Sequence, residues 1–234
     1  MAEMTREAAE QQASHARGRL IDHFKRVYSI IAGLAITEAC KRLWPVGGAG
    51  FPDVRTWMFL TFFITVVPIF HGGDRSLDHK YLASAPESGW RRAFYVYDVY
   101  ILLITALLFV FVAESVPDAA AAASPTLFHP EQFYFWMSGL FAFDVLVLLV
   151  DSWKTDDEAT RRAYPNWIFM NLALAFVCFI AATAVQAASG TGYAMVRLPP
   201  GIDLTLSQTG LVVFVLAFLR TILDYRVGGK FMFP

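Results

Sequence analysis

Charge is what this sequence has least of. Charged residues fill 17% of its 234 positions, against 56% hydrophobic and 15% aromatic. A soluble domain of that length carries roughly 25% charged residues to cover its surface. That balance excludes a water-soluble globule and points to a chain that crosses a bilayer several times. Net charge is −1, so no basic face exists for a nucleic acid. Cysteine is nearly absent: Cys40 and Cys178 both sit in apolar runs, which leaves neither a disulfide framework nor a zinc spacing. Histidine occurs five times, too few for a histidine-rich membrane di-iron centre. G-x-S-x-G, Walker A and H-E-x-x-H are all missing, and nothing sets a nucleophile beside its base, so an enzyme is not expected. The last apolar run has no lysine for a retinal, and no histidine lies deep in a run to hold a haem, so no cofactor is expected. The N-terminus lacks the pattern of a cleavable signal peptide. No internal repeat is visible, so an inverted-repeat transporter has no support.

What is present is a succession of apolar segments at roughly 27–44, 56–71, 93–113, 132–152, 167–187 and 208–225. Each approaches the ~20 residues a helix needs to cross ~30 Å of hydrocarbon. The second is short and carries Pro68. The expected fold is all-α, a polytopic bundle of about six transmembrane helices (residues 26–226). A short amphipathic N-terminal segment (1–25) would lie on the membrane surface, and a short tail (227–234) would follow. Acidic residues early and basic residues late in 1–25 complement a helix dipole, and Leu20, Ile21 and Phe24 give it an apolar edge.

Basic residues mark the sides. Arg6, Arg17, Arg19, Lys25 and Arg26 precede the first span, Arg75, Lys80, Arg91 and Arg92 link the second to the third, and Lys154, Arg161 and Arg162 link the fourth to the fifth. The opposite links are poor in Lys and Arg, apart from Lys41, Arg42 and Arg55. This bias places both termini in the cytoplasm of a multi-pass protein of the cell (inner) membrane. Six tryptophans (Trp44, Trp57, Trp90, Trp136, Trp153, Trp167) fall near span ends, as an aromatic belt does. Residues 188–207, with Pro199-Pro200-Gly201 as a turn, read as an ordered outer loop.

The stretch from Arg26 to Leu43 organises the rest. Ser29, Gly33 and Thr37 recur every four residues and share one helix face, where small residues admit another helix or a file of water and ions. Glu38 stands in the apolar run with Arg42 four residues on, the spacing of a helical ion pair on the outer side.

The other ionisable groups gather toward the basic end. Asp98, Asp144, Asp151, Arg220 and Asp224, with Asn171, all fall in the inner halves of their spans, and Asp144 is deepest at about 12 Å. Buried charge is expensive in hydrocarbon, so a network is expected in which Arg220 pairs with Asp144 or Asp98. Such a network either fixes helix register or lines a hydrated, ion-coupled site. His71, Asp74, Asp78 and His79 fall within nine residues of an expected inner link and form a weak metal-ligand set; an ordinary solvated loop accounts for them equally.

Arg26, Tyr28 and Ser29, followed by Ala35-Ile36-Thr37, and Phe70-His71 closing the second apolar run, resemble the prokaryotic relatives of the endolysosomal six-span potassium channel. Ile30 stands where that family has Asp, and the spacing to Ala35 is one residue shorter. The resemblance implies an oligomeric cation channel whose first helices line the pore. Ser29, Ile30, Gly33, Leu34 and Thr37 would then face the path, with Ile30 and Leu34 as a dewetting constriction. The expected function is thus an ion-conducting or ion-coupled cation channel or transporter, in the bilayer and as a homo-oligomer, with no nucleic-acid partner. One alternative is a non-conducting membrane subunit serving a protein partner at the cytoplasmic face. Another is a membrane enzyme acting on a lipid or quinone.

Overall fold

A computed structural model of the chain describes residues 2–44, 52–81, 89–122, 127–155, 158–193 and 195–229. Seven α-helices and one short hairpin occur among them: α1 (Ala2–Leu43), α2 (Val54–Tyr81), α3 (Gly89–Glu114), α4 (Ala119–Ala122), α5 (Glu131–Lys154), α6 (Glu158–Ala188), β1 (Val196–Leu198), β2 (Ile202–Leu204) and α7 (Leu206–Val227). Residues 230–234 of the expected tail lie outside the described residues.

The six long helices close into a ring. α1 packs on α3, α3 on α5, α5 on α6, α6 on α7, α7 on α2 and α2 back on α1. Phe62, Phe109, Phe133 and Phe141 fill its centre and are fully buried. The outside is equally apolar: Ile30, Leu146, Phe169 and Phe176 are each more than 60% exposed. Buried Asp98, Asp151, Arg220 and Asp224 invert the usual arrangement of a soluble protein. Five helical stretches are long and apolar enough to cross a membrane: Val54–Asp78, Ala93–Glu114, Glu131–Lys154, Arg161–Ala188 and Leu206–Val227. Apolar outside and charged inside, the chain is an integral, multi-pass membrane protein.

α1 departs from expectation. Residues 1–25 do not form a separate short helix; from Ala2 they run without a break into the packed half, as one helix of 42 residues. No proline interrupts it, and Gly18 is tolerated within a run of helix formers. Its packed half is not among the five apolar stretches, because only 14 residues separate Arg26 from Lys41 and one of them is Glu38.

α2 also departs. The link expected from His71 to His79 is not a loop; the helix continues through Gly72-Gly73 to Tyr81. At Gly73 a Cβ would stand 2.6 Å from Leu102 Cδ2 and 3.4 Å from the Tyr28 hydroxyl. The glycine therefore serves close approach of α1 and α3 to α2. Asp53 caps α2 by accepting from the Thr56 amide at 3.0 Å. α7 starts on a capping box between Thr205 and Gln208.

Among the described residues of the 188–207 loop, a short hairpin forms. β1 and β2 pair antiparallel with Arg197 opposite Asp203, joined through Pro199-Pro200-Gly201 with Gly201 at φ +117°. The Tyr193 hydroxyl donates to the Phe128 carbonyl at 2.9 Å and holds the loop on the bundle.

Candidate functional site

Five helices bring polar side chains to one end of the ring. They are the C-terminal halves of α2, α5 and α7 and the N-terminal halves of α3 and α6. Those halves run toward the ends where Lys80, Lys154, Arg161 and Arg226 stand. Between them, closed on the remaining side by Tyr28 of α1, lies a cavity of about 120 Å³. Its wall holds Asp98, Asp144, Asp151, Asp224, Lys80 and Arg220 among apolar side chains such as Ile69, Leu77 and Leu148.

The polar wall has two parts. In the first, Asn171 Nδ2 donates to Asp144 Oδ2 at 2.6 Å, and Arg220 Nε donates to Asn171 Oδ1 at 3.1 Å. Arg220 NH1 stands 3.1 Å from Asp224 Oδ2, one turn along α7. Asn171, fully buried, thus bridges the guanidinium to the deepest carboxylate. The arginine's direct ion partner is Asp224, not Asp144 or Asp98.

In the second part, Lys80 Nζ donates to Asp151 Oδ2 at 2.9 Å and to Asp98 Oδ2 at 3.2 Å. The Tyr81 hydroxyl adds a bond to Asp98 at 2.7 Å. Lys154 approaches from behind, 3.5 Å from Asp98 Oδ1 and 3.7 Å from the centre of the Tyr97 ring. Lys80 lies two residues past the apolar stretch of α2. Burial works against its charge, but Asp151 and Asp98 outweigh that and hold its pKa above the ordinary lysine value.

Counting both parts, four carboxylates (Asp98, Asp144, Asp151, Asp224) meet three cations (Lys80, Lys154, Arg220). Among the described residues, no basic side chain makes an ion pair with Asp144. It is the half-buried carboxylate left over, held only through Asn171. Three further wall atoms make no hydrogen bond within the protein: Tyr28 OH; Asp151 Oδ1, which has Lys154 Nζ 3.8 Å away; and Arg220 NH1, which meets Asp224 as an ion pair only. Buried polar atoms of this kind are satisfied by water or a ligand, so the cavity suits a polar occupant.

The remaining expected residues lie elsewhere. Ser29, Ile30, Gly33, Leu34 and Thr37 are exposed on the outer face of α1, away from the cavity. The Ser29 and Thr37 hydroxyls donate to their own helix, to the Lys25 and Gly33 carbonyls. Glu38 and Arg42 pair at 2.8 Å at the opposite end of the bundle. Asp74 and Asp78 do not converge on His71; both contact Lys25, at 3.0 and 2.9 Å, and tie α2 to α1. Among the described residues no three His, Cys, Asp or Glu side chains converge as a metal site. His79's side chain lies outside the described residues. Trp167 is no belt residue: it is buried and lines the cavity.

Lys80, Lys154 and Tyr81 escape a reading of the sequence that ends α2 at its glycines. A signal was present, since Gly72, Ser76 and Lys80 follow one another at four-residue spacing, and all three line the cavity. No family model, curated protein or solved structure matches the chain.

Proposed function

We propose that the protein is an ion-coupled membrane transporter in which Asp144 alternately holds and releases a monovalent cation, the proton first among them. One observation carries this reading. With Lys154 counted behind the wall, the cavity's charge cluster has one more carboxylate than cations, and that carboxylate is Asp144, half-buried and without an ion partner among the described residues. Arg220, already bonded to Asn171, is placed to answer a change of charge at Asp144 by shifting its weight from Asp224. α1 would be a sixth span. Its half from Val27 to Leu43 is about 25 Å long and buries Tyr28, Ala32, Ala35 and Ala39 against the other helices. Six spans would leave both termini on the basic, cytoplasmic side of the cell membrane.

A proton-flux assay in proteoliposomes under an imposed potential tests the reading. Asp144→Asn, if it stays monodisperse and helical, is expected to lower flux at least tenfold. Flux equal to that of the unaltered protein would count against it.

A second reading, a homo-oligomeric cation channel of the potassium type, draws on the open outer face of α1. Ile30 and Leu34 are 62% and 60% exposed, and a Cβ at Gly33 would meet nothing within 4 Å. In an oligomer that face is available to line a shared path, with Ile30 and Leu34 constricting it. Leu34→Asn would then raise single-channel conductance or leak; unchanged currents would dismiss it.

A further inference from the structure

The cavity is built for more than a bare ion. An inorganic cation that sheds its water needs a cage of about six oxygens, whereas much of this wall is carbon, from Ile69, Leu77, Ile101 and Leu148. Three aromatic side chains, Tyr28, Tyr164 and Trp167, stand among them. Carboxylates beside aromatic faces recognise organic ammonium groups. The excess of one negative charge sets the sign of the occupant. The atoms that make no hydrogen bond set its polarity: Asp151 Oδ1 accepts, Arg220 NH1, ion-paired with Asp224, donates, and Tyr28 OH does either. All three residues are more than nine-tenths buried and line the cavity.

We propose that the cavity binds a small organic cation, its ammonium group on Asp144 and its apolar body against the aliphatic wall, in exchange for the proton on that carboxylate. The inference rests on Asp144 being the ion-carrying group of the proposed transporter and names the second cation. The exchange balances: binding the cation leaves Asp144 ionised and releases one proton to water, and cation release takes one back. The titratable groups that share the cavity wall with Asp144 are Arg220 and Asp224 on α7, Asp151 on α5, Asp98 on α3, Lys80 on α2, Tyr28 on α1 and Tyr164 on α6.

Tetramethylammonium is a suitable probe, because it carries no proton and does not cross lipid unaided. Isothermal titration of the detergent-purified protein with tetramethylammonium chloride, against potassium chloride at equal ionic strength, is expected to show saturable binding for the first alone. Affinity should fall by about tenfold per pH unit once the proton competes for one site. Asp144→Asn should abolish binding. Ser76→Phe, which fills the cavity from α2 and leaves Asp144 intact, should weaken it at least tenfold. Equal heats for the two salts, pH-independent binding, or full binding by Asp144→Asn would each overturn the proposal. The two readings fail separately. Asp144-dependent proton flux without tetramethylammonium binding removes only the organic cation. Binding without any flux keeps the site and removes the transporter.

Discussion

Thr221 on α7 donates its hydroxyl hydrogen bond, at 3.0 Å, to the Ile64 carbonyl on α2. Ile64 stands four residues before Pro68, and proline has no N–H to give that carbonyl. A neighbouring helix supplies the donor the break in α2 removes, as hydrocarbon surroundings require.

Thr221→Val should therefore leave a part-buried carbonyl unpaired and cost about 1 kcal/mol, read as a lower thermal midpoint in detergent. Pro68→Ala restores the intrahelical donor, and in that background Thr221→Val should cost much less. Equal losses in both backgrounds would show that the two residues act independently.

Gly73 makes a prediction of the opposite kind. A Cβ there runs into Leu102 Cδ2, the far end of a flexible side chain. Gly73→Ala should cost about 1 kcal/mol, within the range for mild overpacking, and Gly73→Leu clearly more. Leu102→Ala should relieve the Gly73→Leu defect in thermal melts; failure of that rescue would mean the strain lies elsewhere.

These glycines show where the sequence was legible and where it was not. Helix type, apolar spans and the gathering of Asp144, Asn171, Arg220 and Asp224 at one end follow from hydropathy and 1.5 Å per residue. The end of α2 did not follow. Gly72-Gly73 followed by charges reads locally as a turn, and only tertiary contact with Tyr28 and Leu102 shows it to be a packing site. With α2 ended early, Lys80 becomes a loop residue, and the Lys80–Asp98–Asp151 group disappears from view. The partner of Arg220 is a matter of side-chain geometry, to which spacing is blind.

Lys80 joins two carboxylates from different helices. Lys80→Met should leave Asp98 and Asp151 facing each other with only Lys154 near, and should cost about 3–5 kcal/mol, as for a broken buried ion pair. Adding Asp98→Asn and Asp151→Asn should recover much of that stability. Because Asp151 and Asp98 hold the Lys80 pKa above its ordinary value, against the burial that lowers it, the stabilisation is full below the unfolded lysine pKa of about 10.4 and is lost as pH rises through the folded one. Alkaline melts of the unaltered protein should show that decline, and Lys80→Met should lack it.

Asp53 behaves in the reverse sense. Partial burial raises its pKa, but bonds from Arg55 and Thr56 outweigh that and leave it below the usual carboxylate range. Its stabilisation is present above the unfolded pKa of about 3.9 and is lost as pH falls through the folded one. Asp53→Ala should cost about 1 kcal/mol at neutral pH by removing the cap of α2 and flatten the acid limb of the melting profile. Asp53→Ser should keep the cap and most of the stability.

Difference infrared spectroscopy of the carboxylic C=O stretch reads the protonation of Asp144 directly. A protonated-carboxyl band should appear on acidification, shrink when cation is added at fixed pH, and be missing from Asp144→Asn. A spectrum unchanged by Asp144→Asn, or a band that ignores added cation, would contradict the assignment of Asp144 as the ion-carrying group.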